Sequence, residues 1–140
     1  MLFQNIVNLT PHDVVFYRPS DVDCRHCLIP LAQVILRIEP RSDAEGRALP
    51  ARVAVKWTYS GIENFHSESG LDIGIREYSP VYGEIENLPE PDGETIYIVS
   101  KMVADAAAAS GRTLSDLRLV AQTVRDAEGR IVGCLGLSRP

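Results

Sequence analysis

At 140 residues the chain is long enough to bury roughly two thirds of its unfolded surface without a disulfide or metal staple, and 45% apolar with 24% charged residues is an ordinary globular balance. A net charge of −5 excludes a general nucleic-acid binder, which would need a basic surface to neutralise phosphates. There is no run of about 18 apolar residues and no basic leader in Met1 to Asn5, so a soluble, cytoplasmic, single-domain protein (residues 1–140) away from any membrane is expected.

Charge is unevenly spread. Residues 60 to 95 hold nine acids and one base, whereas residues 96 to 140 hold six bases and four acids. If the C-terminal bases share a face, a small anion can be held there on an otherwise acidic protein. Scattered, solvated charge is the other reading.

In chain order, Asn5 to Thr10 reads as a strand stopped by Pro11, with Val14 to Tyr17 as its partner and Thr10-Pro11-His12-Asp13 as the turn between them. His12 reads as a turn histidine bonding nearby backbone, with a functional imidazole at a loop tip as the alternative. Cys24 and Cys27, around His26, have the spacing of half a zinc knuckle, but no second pair follows and only His12, His66 and Cys134 could complete a site. They read as reduced structural cysteines, with a metal site or a redox pair as alternatives; Pro30 argues against the helix start that a redox pair usually opens. Ala32 to Glu39 alternates as a strand ending at Pro40, and the charged, small residues 41 to 49 read as a mobile connection.

The clearest period-2 segment follows. Ala51, Val53, Val55, Trp57 and Tyr59 alternate with Arg52, Ala54, Lys56, Thr58 and Ser60, which predicts a strand with one buried and one wet face in an antiparallel sheet. Trp57 is assigned to the core with Val53 and Val55; a stacking platform for a ligand base is the alternative. Residues 61 to 70 read as a loop, and Leu71, Ile73 and Ile75, then Val81 to Ile85 beyond Pro80, resume strand pattern. Glu84, Glu86, Glu90, Asp92 and Glu94 read as a wet face and solvated loop rather than a carboxylate metal site or acid/base pair, because no His or Lys is interleaved to tune them.

The last third has the strongest local signals. Thr95 to Val99 predicts a strand, Ser100 an N-cap, the alanine-rich run from Lys101 to about residue 110 a helix, and Gly111 its left-handed end. Leu119 to Arg125 and Ile131 to Leu137 flank Asp126-Ala127-Glu128-Gly129, the length and glycine placement of a hairpin on a type I turn. The fold class is therefore β-rich α+β: a mostly antiparallel sheet, small barrel or sandwich covered by one principal helix in the C-terminal half.

Phosphate-loop, dinucleotide, nucleophile-elbow and zinc-protease motifs are absent from the sequence, so binding is a better default than catalysis. The candidate ligand-binding residues for an anionic, nucleotide-like molecule are Arg112, Arg125 and Arg130 as guanidinium forks, Tyr97 as a stacking ring, and Ser100 and Lys101 at the helix start, with Arg118 and Tyr82 nearby. Arg125 could instead pair with Asp126 or Glu128, and Arg112 with Asp116 four residues on.

Asn8-Leu9-Thr10-Pro11-His12, Leu88-Pro89-Glu90-Pro91, Tyr97-Ile98-Val99-Ser100, Arg112 with Asp116, and Val124-Arg125-Asp126 with Gly129 to Cys134 together resemble a family of small, uncharacterised tailed-phage and prophage-associated proteins. Glu39-Pro40 and Ala51-Arg52-Val53 look like a further family segment opened by an insertion at 41 to 49. The chain departs from the pattern at Cys24 to Cys27, and at Arg118 to Ala121, where a proline is expected. No catalytic residue carries across. The resemblance implies a phage or prophage accessory protein in the host cytoplasm; together with the absence of a catalytic constellation beside an arginine-bearing C-terminal module, it leads to the expectation of a non-catalytic binding protein that sequesters a nucleotide-like immune signal or masks a host defence protein. Two other readings stand: a small hydrolase or metal-dependent phosphodiesterase using His12, His26 and the acids of 60 to 95, and an interaction subunit without a small ligand. No cofactor and no metal are expected. A homo-oligomer is, since ligand sites of small domains often lie between chains.

Overall fold

A computed structural model describes residues 3–18 and 33–140. The expectations for Cys24, His26 and Cys27 lie outside the described residues. Among the described residues eight strands and one helix follow in the order β1 (Asn5–Asn8), β2 (Val14–Arg18), β3 (Gln33–Ile38), β4 (Arg52–His66), β5 (Asp72–Glu86), β6 (Thr95–Ile98), α1 (Lys101–Ala109), β7 (Leu117–Arg125) and β8 (Ile131–Ser138). Six strands form one sheet in the order β1-β6-β7-β8-β2-β3, and β4 and β5 pair only with each other. This is the β-rich α+β fold with one principal helix.

The six-stranded sheet nearly closes on itself. Beyond β3 the chain bridges back to β1 at Asn8 and Pro40, and the Arg41 N–H donates to the Asn8 carbonyl at 2.9 Å. Asn8, fully buried, secures the seam: its Nδ2 donates to the carbonyls of His12 (2.8 Å) and Ile38 (3.0 Å), while its Oδ1 accepts from the Thr10 N–H and hydroxyl. Every polar atom of that side chain is satisfied, as a buried amide requires. Within the sheet β1, β6 and β7 run parallel, as do β8 and β2, while the β7–β8 and β2–β3 pairs are antiparallel.

β1 and β2 are therefore not the hairpin that Pro11 suggested. β1 finds its partner far along the chain, Asn5 opposite Thr95 and Asn8 opposite Ile98. Residues 41 to 49 also differ from the expected mobile connection: Ser42 bridges Ala48, and the Asp43 carboxylate accepts the N–H groups of Glu45 and Arg47, making a capped turn.

The helix begins and ends on local chemistry. Ser100 has extended backbone and its hydroxyl accepts the Val103 N–H at 3.3 Å. At the other end Gly111 takes φ 81°, and the N–H groups of Gly111 and Arg112 return to the carbonyls of Ala108 and Ala107, each at 3.1 Å. That paired closure satisfies carbonyls the helix leaves free. Val103, Ala104 and Ala107 then pack on Leu9, Ala51, Tyr97, Val99 and Leu117, with Val53 and Ile85 alongside. Val14, Phe16, Ile98 and Cys134 form a second core, and Val15, Tyr17 and Val124 a third. β2 is thus buried on both faces. Where β8 passes it, Gly133 leaves no room for a Cβ, which would collide with the Tyr17 ring and the Val15 carbonyl.

The largest departure from expectation is the ribbon of β4 and β5. Residues 61 to 66, read as loop, continue β4, and β5 runs unbroken through Pro80, so each strand has 15 residues and only 67 to 71 connect them. Pro80 sits opposite Trp57, a position open to proline because both strands of a two-stranded ribbon are edges. Val53 and Ile85 join the helix core, but Trp57 does not: it is 60% exposed. The alternation is real, but among the described residues no second layer covers it.

Candidate functional site

Each residue assigned to an anion site has a local role. Arg112 is only 12% exposed and grips the 2%-exposed Asp116 through both guanidinium nitrogens at 2.8 Å, while also donating to the Pro89 and Thr113 carbonyls. Arg125 donates to the Gly129 carbonyl at 2.7 Å. Arg130 donates to Asp126 at 3.1 Å and to Glu128 at 3.5 Å. Arg118 is buried, with its guanidinium on the carbonyls of Ser115 and Leu117 and over the Phe3 ring. Lys101 pairs with Asp105, and the Ser100 hydroxyl is occupied by its own helix. Tyr97, 6% exposed, is a core residue and offers no open face for stacking.

The turns carry the shifted acids. The Arg130 backbone N–H, ahead of the guanidinium charge, holds the Asp126 carboxyl below the usual aspartate range. The Glu94 backbone N–H, followed by the Thr95 hydroxyl and N–H, does the same to Asp92 as the chain enters β6. Burial pushes the Cys134 thiol up, so it behaves as a core residue. Among the described residues no group of three or more His, Cys, Asp or Glu could hold a metal ion, and no helix is long and apolar enough to cross a membrane.

A shallow groove of about 410 Å³ lies between the root of β5 and the helix end, lined by Glu84, Ile85, Leu88, Glu90 and Arg112 among others. Its one guanidinium is committed to Asp116, and two carboxylates face it. An anion has little to gain there.

The ribbon is different. Its root is fixed: the Ala51 N–H donates to the Leu9 carbonyl at 2.9 Å, Asn87 (φ 64°) donates to the Pro50 carbonyl at 3.2 Å, and Arg41 donates to the Asn87 carbonyl at 2.7 Å. Beyond that root it runs out as an arm. Cross-strand partners share a face, and the register sets Val55 opposite Tyr82, Trp57 opposite Pro80, Tyr59 opposite Tyr78 and Ile62 opposite Arg76. The contacts agree: the Tyr59 and Tyr78 rings meet edge to face at 6.0 Å, and the Arg76 guanidinium lies 6.0 Å from the Tyr59 ring centre. One face is thus an aromatic stripe, continuous at its root with the core through Val53 and Ile85. The opposite face mixes Lys56, Glu63 and Glu77 with Val81, Ile75, Ile73 and Phe65. At the tip His66 and Asp72 form an exposed pair at 2.6 Å.

The sequence carried a signal for this stripe. Three of the five tyrosines and the single tryptophan fall between residues 57 and 82, a density that a wet sheet face does not need. The fold and the arm together define a small, nearly closed β-barrel with a projecting two-stranded ribbon. Comparison with family models, with curated proteins and with solved structures gives no match for this chain.

Proposed function

We propose that this is a non-catalytic interaction protein whose recognition element is the β4–β5 arm, engaging another protein surface through its aromatic stripe. The observation that carries the reading is that stripe: Trp57, Tyr59, Ile62 and Tyr78 are all about half exposed or more on one face of a ribbon rooted in the core. Isolated proteins seldom leave so large a contiguous apolar surface in water, and Trp, Tyr and Arg are the residues that dominate binding energy at interfaces. An accessory role in a phage or prophage setting, such as masking a host protein, is in keeping with the resemblance at the two ends of the chain. The arginines and Tyr97 lend no comparable support to a nucleotide-like ligand, because each is held by its own neighbours.

A photo-crosslinking residue at position 57 and, as control, at the exposed helix position Ala108 tests this in the producing cell. Discrete protein adducts at 57 and not at 108 are expected. Adducts at neither position, or equally at both, would overturn the reading.

A further inference from the structure

Resting on that reading, we infer that the occupant of the aromatic stripe is a second copy of this chain, the two arms packing face to face. Trp57, Tyr59, Tyr78 and Ile62, at 60, 53, 49 and 55% exposure, leave on the order of 400 Å² of side-chain surface uncovered. That lies within the roughly 300–600 Å² of the largest apolar patch on a typical monomer, a size that is often functional. With Pro80, Arg76 and the flanking ribbon added, the face approaches the roughly 800 Å² per partner of a standard stable interface.

Charge selects both the face and the partner. The chain carries −5 overall and the arm from 52 to 86 six acids against three bases, so the arm is net acidic and two stacked arms repel unless the faces that meet are poor in carboxylates. Stacking on the opposite face would bury Glu63 and Glu77, two carboxylates per arm, in the contact. The aromatic face holds no acid from Val53 to Ile62 or from Arg76 to Tyr82, and its one cation already lies against a ring. A two-fold contact needs only one self-complementary patch, and permanent homodimer interfaces are the apolar, charge-poor class. The stripe is of that kind, and two stacked ribbons give each arm the second layer its alternation lacks.

The single tryptophan makes the test direct. Sedimentation of the full-length protein over a dilution series is expected to show mass doubling with concentration, and Trp57 emission to shift to the blue with the same midpoint. Tyr59→Glu is expected to weaken association by at least about 30-fold, the loss of one strong interface residue. Ile62→Ser should act the same way if Tyr59→Glu misfolds. Val81→Glu, on the opposite face, should still dimerise. A wild-type chain that stays monomeric with red emission overturns the inference, as does a dimer without the shift or one broken by Val81→Glu alone. A monomer whose position 57 still crosslinks to a different protein overturns only this inference and leaves the arm as a binding element.

Discussion

In the interior of the barrel the apolar side chains of β2, β6 and β7 meet others across the core or under the helix, although β3 keeps Val34, Ile35 and Leu36 about half exposed; on the arm, a regular alternation meets solvent along its whole outer length. Ile98, Leu117 and Val103 are almost wholly buried, whereas Trp57, with just as regular a pattern around it, is 60% exposed. The polar groups differ in the same sense. Asn8 and Asp116 are buried with every atom partnered, while the arm's His66–Asp72 pair is open to water. Folding energy is therefore concentrated in the barrel, and among the described residues no second layer covers the arm's stripe. A ribbon of two strands is at best marginally stable alone, so its rooted base matters more than its own pairing.

That contrast can be broken most sharply at Arg112. Arg112→Ala leaves the buried Asp116 carboxylate without its partner and is expected to cost about 3–5 kcal/mol in chemical denaturation. Gly133→Ala forces a methyl group into the Tyr17 ring and the Val15 carbonyl where β8 passes β2, and a loss of about 1–3 kcal/mol or more is expected in the same assay. A gentler effect should follow pH. Asp92 and Asp126 have lowered folded values, so their contribution is complete above the ordinary aspartate value near 3.8 and is lost as pH falls from there through the lowered ones. Stability should fall on the acid side in wild type, and the fall should be shallower in Asp92→Asn. The smallest effect belongs to the arm: Trp57→Ala, measured on dilute monomer, is expected to change stability by no more than about 0.5 kcal/mol. A large loss there would mean that the stripe is part of the monomer's core after all.

The elements written in local chemistry were legible in the sequence. Ser100, the alanine run and Gly111 delimit the helix, and Asp126 to Gly129 the C-terminal turn, because caps and tight turns depend on residues within a few positions. The outer arm was not legible. Gly61 and the polar residues after it break the alternation, yet a bulge there lets β4 continue past Tyr59. Trp57 shows the deeper limit: alternation says which side chains share a face and nothing about whether a second layer covers it. The parallel pairing of β1 with β6 was equally hidden, since no local signal links residues so far apart. For the candidate site, the structural partner of Arg112 was visible as the i, i+4 acid Asp116, whereas the aromatic density from 57 to 82 pointed to the stripe and alternation drew it into the core.

The parallel pairing of β1 with β6 also sets an order of events. Asn5 meets Thr95, 90 residues later, and the strap between Asn8 and Pro40 has its full cradle only when β6 is in place. The arm needs nothing so distant, for its two strands are joined by a short turn and can zip within microseconds of leaving the ribosome, whereas contacts of long sequence separation are slow. During synthesis the arm's residues therefore emerge before the β6, α1 and β7 segments that root it, and the ribbon, marginal by itself, forms only transiently until Val53 and Ile85 meet Val99 and Val103. The nascent chain presents its most adhesive surface first, and whichever surface meets it then, another growing copy included, does so before the body has closed.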